Sequence, residues 1–291
     1  MDTKELIKKV RKVEIKTRGL SNQIFSGEYH SAFKGRGMAF SEVREYQPGD
    51  DIRAIDWNVT ARFNHPYVKI FEEERELTMM LLVDVSGSEN FGSSLRLKRD
   101  MATELAAILA FSAMQNNDKI GVIFFSDRIE KFIPPKKGRS HILHIIREMI
   151  NFEPERSQTD ISCALRHLTN VIKKRSIAFV ISDFMDAGFE QALRIANKKH
   201  DVVAIQLYDQ RDLELPSVGL IRLRDPETGK QMVVDSNAAH VRRAYFAAGR
   251  QKEAVLKETF LRSGVDHLKI RTDESYIRYL MNFFKSREAR A

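Results

Sequence analysis

Residues 77–83, Leu-Thr-Met-Met-Leu-Leu-Val, carry a single polar side chain, and runs of the same kind recur at 120–125, 177–182 and 202–207. Strands that read as continuous apolar runs, without alternation, are those buried on both faces of a sheet. A further strand is expected at 267–271. Between the runs the apolar period lengthens to that of a helix: within 95–114, Leu105, Ile108, Leu109 and Ser112 follow i, i+3, i+4, i+7 spacing. Helices are likewise expected at 140–150, 161–174, 189–199, 238–262 and 275–285. Residues 129–133 can pair with 120–125 as an edge hairpin ahead of Pro134-Pro135. Segments 220–223 and 232–234 flank Asp225-Pro226-Glu227-Thr228-Gly229-Lys230, whose turn chemistry predicts a second hairpin. Strands alternating with helices imply a mainly parallel sheet joined by right-handed crossovers. In such sheets ligands bind beyond the carboxyl ends of the strands.

The first quarter of the chain is patterned differently. Leu6, Ile7, Val10 and Val13 share one helical face within 4–13, and polar, glycine-containing chain follows to Gly37. Gln47-Pro48-Gly49-Asp50 is a turn signal, because proline presets φ and glycine accepts φ > 0. Residues 67–71 read as a strand running into the charged run 72–76, in which the acidic Glu72–Glu74 form a solvated strand end. Trp57, the single tryptophan, is expected to anchor this segment in an apolar cluster, and Met79-Met80 to lie in the sheet core. The chain is thus read as an N-terminal segment, 1–75, and an α/β domain, 76–291, with a hairpin insertion at about 213–236.

Composition narrows the setting. Hydrophobic residues make up 43% and charged residues 30% of 291 positions, as in ordinary globular proteins. The lone Cys163 excludes an internal disulfide and fits a reducing compartment. The first ten residues lack a signal peptide's apolar stretch, and 77–83 is too short to span a bilayer, so no transmembrane segment and a cytoplasmic location are expected. A formal charge of +8 invites a nucleic-acid reading. The basic residues are scattered over helix ends and exposed faces, without an aromatic strand motif, and no nucleic-acid partner is expected.

The chemistry gathers where the strands end. Asp84-Val85-Ser86-Gly87-Ser88 closes the first buried strand, and hydroxyls at i+2 and i+4 from the acid point three oxygen side chains toward one place. The run at 177–182 delivers Asp183 to the same edge. Ser157-Gln158-Thr159-Asp160, just before a helix, adds another hydroxyl, although Thr159 or Asp160 could equally cap that helix. A set made only of oxygen ligands favours magnesium, manganese or calcium over zinc.

Asp84-x-Ser86-x-Ser88, then Thr159, then Asp183 resemble the metal-ion-dependent adhesion site of von Willebrand factor A domains. The likeness in strand and helix order runs from about residue 76 to the C-terminus and implies a Rossmann-like fold of that class. Upstream, Gly35-Arg36-Gly37-Met38-Ala39-Phe40-Ser41-Glu42-Val43-Arg44-Glu45-Tyr46-Gln47-Pro48-Gly49-Asp50-Asp51 and Ile55-Asp56-Trp57-Asn58 resemble the bacterial domain-of-unknown-function family 58, often encoded beside MoxR-type AAA+ ATPases. The resemblance implies a protein-binding module whose ion, held by Asp84, Ser86, Ser88, Thr159 and Asp183, accepts an acidic side chain from a partner. It also makes a MoxR-type ATPase the expected partner, with basic residues such as Arg128 or Lys136 steering an acidic surface.

Catalysis fits less well, and no enzyme activity is expected. A metal-dependent phosphoesterase using Asp84 and Asp183 is the alternative, but a strand-end nucleophile of the haloacid-dehalogenase kind wants a second acid where Ser86 stands. No Gly-x-Ser-x-Gly elbow appears. Gly35-Arg36-Gly37 is not a phosphate loop. His141 and His144 share a helix face without partners that would complete a metal site.

Overall fold

The computed structural model describes residues 38–73, 77–92 and 97–290, with Arg11, Val13, Glu14 and Thr17. The helix expected at 4–13 lies almost wholly outside the described residues, as does Gly35-Arg36-Gly37. The chain divides into two units, Phe33–Leu77 and Met1–Ala32 with Thr78–Ala291. Of residues 1–32, only Arg11, Val13, Glu14 and Thr17 are described. One tie is explicit: Glu14 accepts hydrogen bonds from Arg139 Nε at 2.9 Å and Nη2 at 2.6 Å.

In the smaller unit β1 (Met38–Glu45) pairs antiparallel with β2 (Tyr67–Glu73), with a bulge between Phe40 and Glu42. A short 3₁₀ helix, Ile52–Ala54, and α1 (Trp57–Phe63) connect them. The signature's polar residues brace this connection. Arg44 grips both oxygens of Asp50 at 2.8 and 2.7 Å, and Asp50 also accepts from the Gln47 amide at 2.8 Å, so the Pro48-Gly49 turn is clamped from two sides. Gly49 takes φ +111°, which only glycine adopts freely. Asp51 caps the 3₁₀ helix, and Asp56 caps α1 through the Asn58 and Val59 amides. Trp57 corrects the sequence reading. It occupies the first position of α1 with 68% of its surface exposed and anchors no apolar cluster. β1 and α1 were not foreseen, and α1 carries no buried apolar stripe that could announce it.

The larger unit is built on a six-stranded sheet in the order β10-β7-β6-β3-β4-β5. Its members are β3 (Thr78–Asp84), β4 (Lys119–Phe125), β5 (Ile129–Lys136), β6 (Ile177–Ser182), β7 (Asp201–Tyr208) and β10 (Asp266–Arg271). All neighbours pair in parallel except β5, which returns antiparallel along β4 as the edge strand. Pro134 and Pro135 lie inside β5 rather than beyond it, which an edge strand tolerates because one row of amides has no ladder partner. β8 (Leu220–Arg224) and β9 (Gln231–Asp235) form a separate hairpin.

The helices are α2 (Lys98–Gln115), α3 (Arg139–Asn151), α4 (Ile161–Val171), α5 (Glu190–Lys199), α6 (Ala239–Ser263) and α7 (Tyr276–Glu288). Met80 and Leu82 of β3 and Ala178 and Val180 of β6 share a buried cluster with apolar residues of α4, α5 and α6. Because strand side chains alternate, Met79, Leu81 and Val83 serve the opposite face, where α2 packs on α3. Helices on both faces explain the unbroken apolar runs.

The chain order places the site. From β3 the chain proceeds outward through α2 to β4 and β5, then returns to β6 on β3's other side and proceeds outward again to β7. The carboxyl ends of β3 and β6 therefore flank the switch point, where crossovers diverge and leave a crevice.

Candidate metal site

Asp84 is the last residue of β3, and Asp183 follows the last residue of β6. Beyond Asp84 the chain enters a short 3₁₀ helix, Gly87–Asn90, which folds Ser86, Ser88 and Glu89 back over the strand end. Asp84 Oδ1 accepts the Ser86 amide at 2.9 Å, and Ser86 Oγ lies 3.1 Å from Ser88 Oγ. Ser182 Oγ donates to Asp84 Oδ2 at 2.6 Å, joining the two strand ends. Four of the five residues singled out from sequence, Asp84, Ser86, Ser88 and Asp183, thus meet in one buried cluster.

Glu89 joins them unforeseen. Ligand oxygens of Asp84, Glu89 and Asp183 lie within 4.8 Å of one another. Both Asp84 oxygens have protein donors. So do both Asp183 oxygens, from the Met185 amide at 3.2 Å and Lys98 Nζ at 3.0 Å. Glu89 Oε1 accepts the Asp183 amide at 3.1 Å, whereas Oε2 is buried with no hydrogen-bond partner. An orphaned carboxylate oxygen among buried carboxylates, with two serine hydroxyls on the same strand end, is an arrangement a hard dication would satisfy. The residues fit such an ion. The signal for Glu89 was its place directly after Ser88, but a glutamate at a loop start is usually solvated.

Electrostatics point the same way. Burial first, and the charge of Asp183 second, push the Asp84 carboxyl up to about 7, against hydrogen bonds from Ser182 and Ser86. Burial, Asp183 and Asp84 push Glu89 well above the usual carboxylate range. The cluster holds more negative charge than it can keep dry. Lys98 supplies part of the answer from the start of α2, with Nζ 3.0 Å from Asp183 and 2.9 Å from Asp212. Burial alone would lower its pKa, but Asp183, Asp212 and Glu89 outweigh that and hold it above its ordinary value.

Thr159 is placed differently. Asp160, not Thr159, caps α4 by accepting the Cys163 amide at 2.9 Å. The Thr159 hydroxyl is left to donate to Glu227 Oε1 at 2.8 Å, at the tip of the β8–β9 hairpin. Ser157 Oγ donates to the Glu227 carbonyl at 3.0 Å, while its own carbonyl accepts the Gly87 amide at 2.9 Å. A Cβ on Gly87 would lie 2.6 Å from the Pro226 carbonyl oxygen, so glycine is what lets the hairpin tip approach. Burial and the field of Asp183 raise the Glu227 carboxyl above its ordinary value, although Thr159 lowers it. Arg128, the expected steering residue, is paired with Glu155 and Glu130. His141 Nε2 lies 2.9 Å from the Ile120 carbonyl oxygen, inside the fold. Among the described residues, no helix is long and apolar enough to cross a membrane.

A mainly parallel sheet clad with helices, with hydroxyls and carboxylates at its switch point, defines an α/β domain of Rossmann-like fold. The chain belongs to the family described as Protein of unknown function DUF58, whose profile matches residues 42–255. It is 31% identical to an uncharacterised protein of Mycobacterium tuberculosis over 290 residues, 99% of this chain and 91% of that protein. Among solved structures it is similar to an aerotolerance-related membrane protein from Bacteroides fragilis, with 16% identity and a TM-score of 0.50, covering 74% of this chain and 100% of that one. A fainter likeness, at 10% identity and a TM-score of 0.38, joins 72% of this chain to 95% of the SpRpn10 VWA domain. At such identities the likeness concerns the fold alone.

Proposed function

We propose that the chain is a protein-interaction module that binds its partner through a divalent cation, magnesium in the cell, held at the switch point. The observation that carries this reading is the buried cluster of Asp84, Ser86, Ser88, Glu89 and Asp183, in which Glu89 Oε2 lacks a partner. Asp84 and Asp183 spend their oxygens on protein donors, so they act chiefly by their charge and by orienting the serines. Ser86, Ser88 and Glu89 Oε2 are the groups with capacity to hold the ion, and Thr159 is a further one if Glu227 withdraws. Held largely by neutral hydroxyls, the ion would keep enough electrophilic character to accept a carboxylate from a partner.

The family resemblance, rather than any contact, makes a MoxR-type AAA+ ATPase or one of its clients the partner. The test is binding of a purified MoxR-type ATPase from the same source, measured with magnesium and with chelator. Binding that needs magnesium and falls at least tenfold in Asp84→Ala is expected. Binding indifferent to both would overturn the reading.

Hydrolysis of phosphoesters by Asp84 and Asp183 gains a third carboxylate in Glu89. It is the weaker reading, because both Asp84 oxygens are held by protein donors and none is free to attack.

A further inference from the structure

The tip of the β8–β9 hairpin is folded for a purpose that turn geometry alone does not require. Asp225 accepts the Glu227 amide at 3.0 Å and the Gly229 amide donates to the Asp225 carbonyl at 2.9 Å, which fixes the loop. Around it Asp225, Pro226, Thr228, Gly229 and Lys230 are exposed, and Glu227 alone is half-buried. Its carboxylate reaches Thr159, its carbonyl reaches Ser157, and Pro226 rests over Gly87. All three contacts are to the loops that carry the proposed ion ligands.

We propose that Glu227 is a ligand in cis: the hairpin tip closes the cation site from outside with its own carboxylate, and a partner's acid must displace it. The inference rests on the cation-dependent reading above. It adds that the site is self-occupied in the isolated chain and opens when the hairpin lifts.

The test combines manganese titration by calorimetry with amide hydrogen exchange of residues 220–235, on the full chain and on Glu227→Ala and Glu227→Gln. In the wild type, manganese should slow exchange at 225–230 at least fivefold. Both variants should lose that protection, and Glu227→Ala should bind manganese about tenfold more weakly. Unaltered affinity in Glu227→Ala, together with hairpin exchange indifferent to manganese, would overturn the internal ligand and leave the cation site standing. Failure of the wild type to bind manganese at all would overturn both. Because Glu227 lies on a surface loop, melting of the variants near the wild-type temperature separates loss of the contact from loss of the fold.

Discussion

Lys98 shows what a single residue has to settle at this site. Its side chain is 2% exposed and its ammonium stands between Asp183 and Asp212, so taking it away strands two carboxylates in a low-dielectric place. Breaking a buried pair from one side typically costs about 3–5 kcal/mol. Lys98→Met is therefore expected to lower stability by that amount in urea unfolding, with part regained on adding magnesium. A loss below about 1 kcal/mol, the worth of a surface pair, would mean that the two acids do not depend on Lys98. Neither Lys98 nor Glu89 was legible in the sequence. A lysine at the start of a helix reads as a solvated charge, and only the fold shows that it lies under the ends of β3 and β6. Asp84, Ser86, Ser88 and Asp183 were legible because each follows an apolar run, and strand ends in a parallel sheet converge. Thr159 was placed in the right loop, but its partner is 68 residues away on a hairpin whose docking no local pattern encodes.

At the scale of elements, the runs that became β3, β4, β6 and β7 were legible because they are buried on both faces and need no alternation to announce them. The helices of the larger unit were legible for a related reason: α4 places Ile161, Ala164, Leu165 and Leu168 on one buried stripe. The β8–β9 hairpin was legible from its turn residues, yet not where it would lie. Its strands bury little, with Leu220, Met232 and Val233 exposed, so packing left no imprint on their pattern. α1 was missed for the same physical cause, and β1 beside it. What holds them is a set of caps and a bidentate clamp, Asp56 on α1 and Arg44 on Asp50, and such contacts leave no periodic trace. The signature that named the family is thus partly a recipe for that local structure.

At the scale of the molecule, the sheet's outer half carries a built-in acid sensitivity. His200 packs at the start of β7 with Nδ1 2.9 Å from Ser176 Oγ and Nε2 unpartnered. Burial, then Lys199 and Arg175, hold its pKa down at about 4. His267, stacked on Phe260 in β10, is likewise held at about 4, by burial and then Lys269. An unfolded histidine titrates near ~6.5. Between that value and 4 the unfolded chain binds more protons than the folded one, so stability is complete above about pH 6.5 and is lost as pH falls toward 4. The expected slope is on the order of 1 kcal/mol per pH unit for each imidazole in that window. Chemical unfolding at pH 7, 6 and 5 checks it: His200→Gln should lose stability less steeply than the wild type, and parallel slopes would contradict the account.

The most direct test of the central claim, a divalent cation held at the ends of β3 and β6, is thermal melting with and without magnesium in the wild type, Ser86→Ala and Asp84→Ala. An ion present at ten times its dissociation constant adds about 1.4 kcal/mol. For a chain of 291 residues that raises the melting temperature by roughly 2–3 °C. The account predicts that rise in the wild type and its loss in both variants. Equal rises in all three proteins, or none in the wild type, would contradict it.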